Sequence, residues 1–189
     1  FKKFNKNITD YDIVFVSDFG HGFFDKKIVK KINECKIFTS LNVQTNSSNL
    51  GFNYYTKFNK YNLLSIDERE LKLGIGVKNL SGIDLVKYAL KNNKIKVPFA
   101  ITMGDKGSIF VDSKKNIYSS PIFFENIVDT VGAGDAYFAI VSLLSKIKAP
   151  NYLIPFLGNC FAGLKTKIVA NKKPVSLINL YKTLNSILG

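Results

Sequence analysis

Asp135 stands in the segment Val128-Asp129-Thr130-Val131-Gly132-Ala133-Gly134-Asp135-Ala136, where an apolar run gives way to a helical pattern. Gly132, Ala133 and Gly134 offer backbone N–H groups with little side chain over them. They lie at the start of a helix, whose first amides have no internal partner and whose dipole is positive there. Such a turn can hold phosphate oxygens. A carboxylate beside a bound phosphate is repelled by it, so Asp135 is costly here unless it has a chemical task. Taking the proton of an attacking hydroxyl is such a task. On the residues alone a second reading stays open, in which Asp135 caps the helix and the glycines only make a tight turn.

The elements that must position this turn alternate between β-rich runs and helical patterns, the signature of crossover units on a mainly parallel sheet. Strands are expected over Asp12 to Ser17, ending at Asp18, then Lys36 to Val43, Leu63 to Ile66 and Phe99 to Met103. Gly107 to Val111 and Ile117 to Ser119, on either side of a polar turn, read as an antiparallel hairpin. Helices are expected over Asp25 to Glu34, Asp67 to Leu73 and from about Ile83 to Asn92. Three more begin near Gly134, Tyr152 and Ser176, the last with Leu177, Leu180, Tyr181, Leu184 and Ile187 on one stripe. The fold class is therefore α/β. No internal repeat, low-complexity linker or second domain is evident.

With 189 residues and 46% hydrophobic content the chain can bury a substantial core. No apolar run is long enough to span a bilayer and the first residues lack the pattern of a signal peptide, so a cytoplasmic location is expected and no membrane partner. Cys35 and Cys160 lie far apart, and His21 is the single histidine, so neither a disulfide framework nor a zinc site is signalled. Both cysteines read as buried small hydrophobes. A formal charge of +13 invites a nucleic-acid reading. The basic residues are almost all Lys, scattered among many Asn and Ile, which argues for composition bias and against a nucleic-acid surface. Excess positive charge would still concentrate nucleotides and sugar phosphates around a cleft.

The string Asp129-Thr130-Val131-Gly132-Ala133-Gly134-Asp135 resembles the signature of the ribokinase family, also called the PfkB family of sugar kinases. The resemblance implies a ribokinase-like three-layer sandwich around a mainly parallel sheet. It also implies an anion hole at Gly132, Ala133 and Gly134, with Asp135 as catalytic base. Thr102, Gly104 and Gly107 match the family's TxGxxG strand and turn near the nucleotide phosphates, and alone would be a plain β-turn. Asp67 and Glu70 fall where the family has NxxE, which organises Mg²⁺. Asp67 replaces the Asn, and both acids also suit a helix start. Ser17-Asp18-Phe19-Gly20-His21-Gly22 resembles a stretch of the bacterial heptose-phosphate kinases, with His21 where those have Lys. Asp18 at a strand's carboxyl end is placed for a ligand, since open α/β sheets bind there; Asn42 and Asn46, toward the end of the next strand, read equally as contacts for nucleotide or sugar and as ordinary polar loop residues. Asn159 and Gly163 sit on a helix that flanks the adenine in the family, and Gly163 also reads as a close-packing glycine.

The resemblance implies ATP as phosphoryl donor with Mg²⁺, and a sugar or sugar-phosphate substrate of the heptose type. It makes the chain a single partial kinase domain over residues 1–189, with the family's first strands, Gly-Gly segment and lid missing in front, and it allows a homodimer. The monovalent-cation site of some members uses oxygens around the Asp-Thr segment, where Val131 offers no hydroxyl. The readings from other classes are a non-catalytic nucleotide-binding or regulatory remnant, part of a bifunctional nucleotidyltransferase-kinase, and a basic nucleic-acid-binding domain.

Overall fold

The computed structural model describes residues 8–45, 51–124, 127–169 and 172–189. Six strands are hydrogen-bonded in chain order: β1 Ile13–Asp18, β2 Phe38–Val43, β3 Leu63–Asp67, β4 Phe99–Thr102, β5 Ser108–Val111 and β6 Ile117–Ser120. Among the described residues six α-helices accompany them: α1 Lys26–Glu34, α2 Glu68–Ile75, α3 Gly82–Lys91, α4 Ala133–Lys146, α5 Leu153–Thr166 and α6 Leu177–Leu188. The chain divides into two compact units, the first running to Phe99 and including Ser113–Lys115, the second comprising Ala100–Asp112 and Asn116–Gly189.

In the first unit β1, β2 and β3 are parallel, with Val16 opposite Leu41 and Asp18 opposite Val43. From Thr39 to Val43 every residue of β2 is buried, as expected of a strand covered on both faces. Leu41, Leu63, Leu64 and Ile66 are almost fully buried, each stabilising the fold by about 1.5–3 kcal/mol. Leu71 of α2 and Leu85 and Val86 of α3 join this core. Each helix start has a local cause. Asp25 caps α1 by accepting from the Ile28 amide at 2.8 Å, and Asp67 caps α2 within a capping box completed by Glu70. Helix α2 ends at Gly76, whose φ of 75° is the left-handed conformation that closes a helix.

In the second unit β5 and β6 form the antiparallel hairpin, with Phe110 opposite Tyr118. Its turn is held by Asp112, whose Oδ1 accepts from the Asn116 amide at 2.9 Å. Tyr137, Phe138 and Val141 of α4 and Ile154 and Cys160 of α5 are buried. The two helices approach closely at Gly158, where a Cβ would lie 2.5 Å from the Tyr137 ring and 2.8 Å from Val141 Cγ1.

Two expectations are only half met. Cys160 is buried, but Cys35, at the C-terminal cap of α1, is partly exposed. The stripe of α6 does not sink as a unit either. Leu180 is buried, while Leu177 and Tyr181 are 64% and 66% exposed, because among the described residues nothing packs over that side of the helix.

Candidate functional site

In the second unit, α4 starts on Gly132, with φ 80° and ψ 3°, and no side chain caps it. The approach is built by local bonds. Asp129 Oδ1 accepts from the Val131 amide at 2.9 Å, the Ala133 amide closes on the Thr130 carbonyl at 3.1 Å, and the Ala136 amide opens the helical ladder on Gly132 at 2.9 Å. The Ala133 N–H is thus spent on the turn, which leaves Gly134 as the next donor, with no carbonyl behind it in the helix. Gly134 is exposed, and a Cβ there would meet nothing within 4 Å. Asp135 is also exposed and occupies the third helical position, three residues beyond the cap. The N-cap role that a structural reading would give Asp135 therefore belongs to Gly132.

The remaining positions of the second unit separate into two groups. Thr102 ends β4 and Gly104 opens the exposed 3₁₀ turn that follows, with φ 61°. Gly107, with φ 86°, is pressed so closely on the Ser120 carbonyl that no Cβ fits. Asn159 converges on the same place, donating to the Ser120 and Pro121 carbonyls at 2.8 Å each. Gly163 lies against the Phe124 ring, again without room for a Cβ. Its close packing is thus against a loop aromatic. Phe124 and Lys167, whose ammonium lies 5.0 Å from the ring centroid, help wall an open cavity of about 740 Å³ with Ile122, Phe123 and Lys182. Nothing in the local sequence pattern marked this cavity.

In the first unit the strand ends carry a different kind of polar cluster. Asp18, 2% exposed, accepts from the Gly20 amide at 2.9 Å and pairs through Oδ2 with Lys57 Nζ. Lys57 also donates to Asn53 Oδ1 at 2.7 Å, and Asn53 Nδ2 donates to the Gln44 carbonyl at 3.0 Å. Asn42, 7% exposed, donates to the Ser65 carbonyl at 2.9 Å and accepts from Gln44 Nε2 at 2.8 Å. Glu70 receives the Thr45 amide on Oε1 at 2.8 Å and the Asp67 amide on Oε2 at 3.1 Å. Burial raises its pKa from 4.5 to about 6, against the lowering effect of those two N–H groups, with the Asp67 charge raising it further. The Asp67 carboxylate accepts from the Arg69 amide at 2.8 Å. Sequence reasoning singled out Asp18, Asn42, Asp67 and Glu70 but missed Lys57, Asn53, Gln44 and Thr45. His21 is exposed in the loop after β1, and Asn46 lies outside the described residues.

Each carboxylate of this cluster is committed to protein donors yet keeps lone pairs that a cation could use. Among the described residues no group of three or more His, Cys, Asp or Glu is placed to hold a metal ion unaided. A hydrated Mg²⁺ that keeps most of its ligands as water and phosphate needs only one or two carboxylates, which Glu70 and Asp67 can supply. No helix among the described residues is long and apolar enough to cross a membrane.

Comparison with known proteins follows the same lines. Two curated relatives, each called bifunctional protein HldE, come from Campylobacter curvus (26% identical over 150 residues) and Campylobacter fetus (27% over 150 residues). They cover 78% and 77% of this chain, while the chain spans only 31% of the length of either. Among solved structures, the ribokinase of Arabidopsis thaliana complexed with ribose and ATP matches with a TM-score of 0.76 at 17% identity. The match covers 94% of this chain and 57% of that one. Phosphofructokinase-2 from Escherichia coli in complex with potassium gives a TM-score of 0.76 at 14% identity, over 100% of this chain and 62% of that one. At such identities these two likenesses carry the fold, which is ribokinase-like. The model of the pfkB family of carbohydrate kinases matches residues 1–147, a span that includes the whole Asp129 to Asp135 turn, and the chain belongs to that family.

Proposed function

We propose that residues 1–189 form one partial kinase domain, the nucleotide-binding C-terminal part, of an enzyme that transfers a phosphoryl group from MgATP to a hydroxyl of a sugar or sugar phosphate. Asp135 is the base. In the reaction the sugar oxygen forms the new bond to phosphorus, the bond from phosphorus to the bridging oxygen of ADP breaks, and the hydroxyl proton passes to the Asp135 carboxylate. Within the Gly132, Ala133 and Gly134 anion hole, the amides not spent on the turn, that of Gly134 first, neutralise charge on the moving phosphoryl oxygens, a contribution that needs no side chain. Glu70, with Asp67, steadies the hydrated Mg²⁺. Thr102 and Gly104 border the nucleotide phosphates, and the cavity beside Phe124 and Lys167 takes the nucleobase end, with an aromatic wall for stacking. The resemblance of Ser17 to Gly22 to the heptose-phosphate kinases, together with the two bifunctional relatives, supports a heptose-phosphate-like substrate.

The observation that carries the reading is that α4 begins on an uncapped glycine, with Gly134 open to solvent and Asp135 exposed in the first turn. The test is Gly134→Ala in the intact protein. A methyl group fits there without contact, and Ala is the better helix former by about 1 kcal/mol, so the variant is expected to gain that much stability. The same methyl stands over the amide and keeps phosphate away, so turnover is expected to fall at least about tenfold. A variant both more stable and fully active would remove the anion hole from the account.

A non-catalytic nucleotide-binding remnant is the second reading, favoured by the commitment of both Glu70 oxygens and of Asp67 to backbone amides. Nucleotide binding without phosphoryl transfer in the intact protein would establish it.

A further inference from the structure

The segment that delivers Gly132 to Asp135 is tied to the C-terminal turn of α5. The Thr166 carbonyl accepts from the amides of Val128 at 3.1 Å and Asp129 at 3.0 Å. One residue earlier, Lys165 sends its ammonium to the Val131 carbonyl at 2.9 Å and to the Ile168 carbonyl at 3.4 Å. Lys165 is 6% exposed and is the one buried lysine among the described residues. Removing a charged ammonium from water is expensive unless strong acceptors replace the water, and a flexible Lys on a helix face ordinarily keeps its head in solvent. The negative end of the α5 dipole, in the turn that bears Lys165, favours the cation here.

The Val131 carbonyl has a particular consequence. In a planar trans peptide the C=O and the following N–H point in opposite directions. An ammonium that holds the Val131 carbonyl therefore aims the Gly132 N–H away from α5. The next rotation, φ of Gly132, is the positive 80° that begins the helix, a conformation with little intrinsic preference in glycine and so dependent on its neighbours.

We propose that Lys165 is a positioning residue for phosphoryl transfer: its ammonium acts as a tethered monovalent cation that fixes the Val131–Gly132 peptide and so presents the turn's amides to a phosphoryl oxygen. This rests on the reading of Asp135 and its turn as the transfer site. It adds that the geometry of that site is set from behind by a buried charge that does not touch the substrate.

The test compares Lys165→Ala and Lys165→Met in the intact protein, with and without ammonium ion. Alanine leaves the two carbonyls facing a space into which a free ammonium fits, whereas methionine fills the space with an uncharged chain. Both variants are expected to lose about 10²-fold in kcat, the scale set by small misplacements of a catalytic constellation, with a smaller change in KM for nucleotide. Ammonium is expected to restore most of the lost turnover in the alanine variant and none in the methionine variant. Hydrogen exchange at the Ala133 amide gives a readout that needs no turnover. It should quicken in both variants and slow again with ammonium only in alanine. Wild-type exchange in both variants, losses that ammonium leaves untouched, or failure of both to fold would each overturn the proposal. If the wild-type protein transfers no phosphoryl group, the reading of Asp135 fails separately, and the exchange experiment still decides the role of Lys165.

Discussion

The carboxylates at the strand ends of the first unit and Asp135 of the second stand in different surroundings. In the first, Asp18 is buried against Lys57 and the Gly20 amide, and both oxygens of Glu70 are occupied by backbone N–H groups. In the second, Asp135 stands exposed beside a glycine with open space around it. A carboxylate held by donors of its own protein is costly to redirect toward a ligand, since each bond to the charged form must be exchanged for another of similar strength. An exposed one in the first turn of a helix lies within reach of a ligand arriving from solvent. The difference teaches that position at a strand end is a weaker indicator of chemistry than the state of the neighbouring donors. In the proposed function, the first unit's polar groups serve a hydrated ion and the second unit's turn receives the phosphoryl group.

The largest effect expected in the first unit comes from Lys57→Met. Removing one partner of a buried ion pair leaves Asp18 charged and uncompensated, so a loss of about 3 kcal/mol is expected in chemical denaturation. Unchanged stability would show that water or another cation reaches Asp18, and the contrast between the units would weaken. Asp67→Ala removes the side-chain half of the capping box and is expected to cost about 1 kcal/mol. A loss much larger than that would assign Asp67 more than a cap. The smallest effect is the most diagnostic of burial. Carboxyl titration of Glu70 should give a midpoint near 6 rather than 4.5. Because the folded value is the higher one, the stability this group contributes is fully present below pH 4.5 and is lost as pH rises through about 6. Added Mg²⁺ should draw the midpoint down if the ion sits beside this carboxylate. A midpoint near 4.5 without Mg²⁺ would mean that the two amide bonds fully offset burial and the Asp67 charge.

Most of this scaffold was legible in the residues, for reasons that are local. Strand ends at Asp18 and Val43, the hairpin around Asp112 to Asn116, helix starts at Asp67 and Ser176, and the helix start expected near Gly134 and found on Gly132 follow from period, caps and breakers that act over a few positions. The turn at Gly132 was legible because its small residues and its acid stand together in the chain. What escaped are pairings made across the chain. Lys57 looks like any other lysine in a Lys-rich sequence until β1 places Asp18 beside it. Lys165 is equally anonymous until the segment before α4 lays the Val131 carbonyl over it. Asn159 stands on the helix expected beside a nucleotide, and no local pattern foretold that its amide bridges the carbonyls at the end of β6. The α6 stripe shows the converse, since periodicity identified the helix but could not say that Leu180 would be buried, Leu184 and Ile187 half-buried, and Leu177 and Tyr181 exposed.

The comparison between the units rests on Asp135 being an acceptor of protons in the reaction, and Asp135→Asn in the intact protein tests this most directly. Asn keeps the shape, removes the charge and leaves Gly132 as the cap, so folding should be little affected and nucleotide binding should persist or tighten slightly. Loss of a general base is expected to lower kcat by about 10²- to 10⁴-fold with KM largely unchanged. Turnover equal to wild type would contradict the account, because Asp135 would then be no more than an acid placed favourably in the first turn of α4.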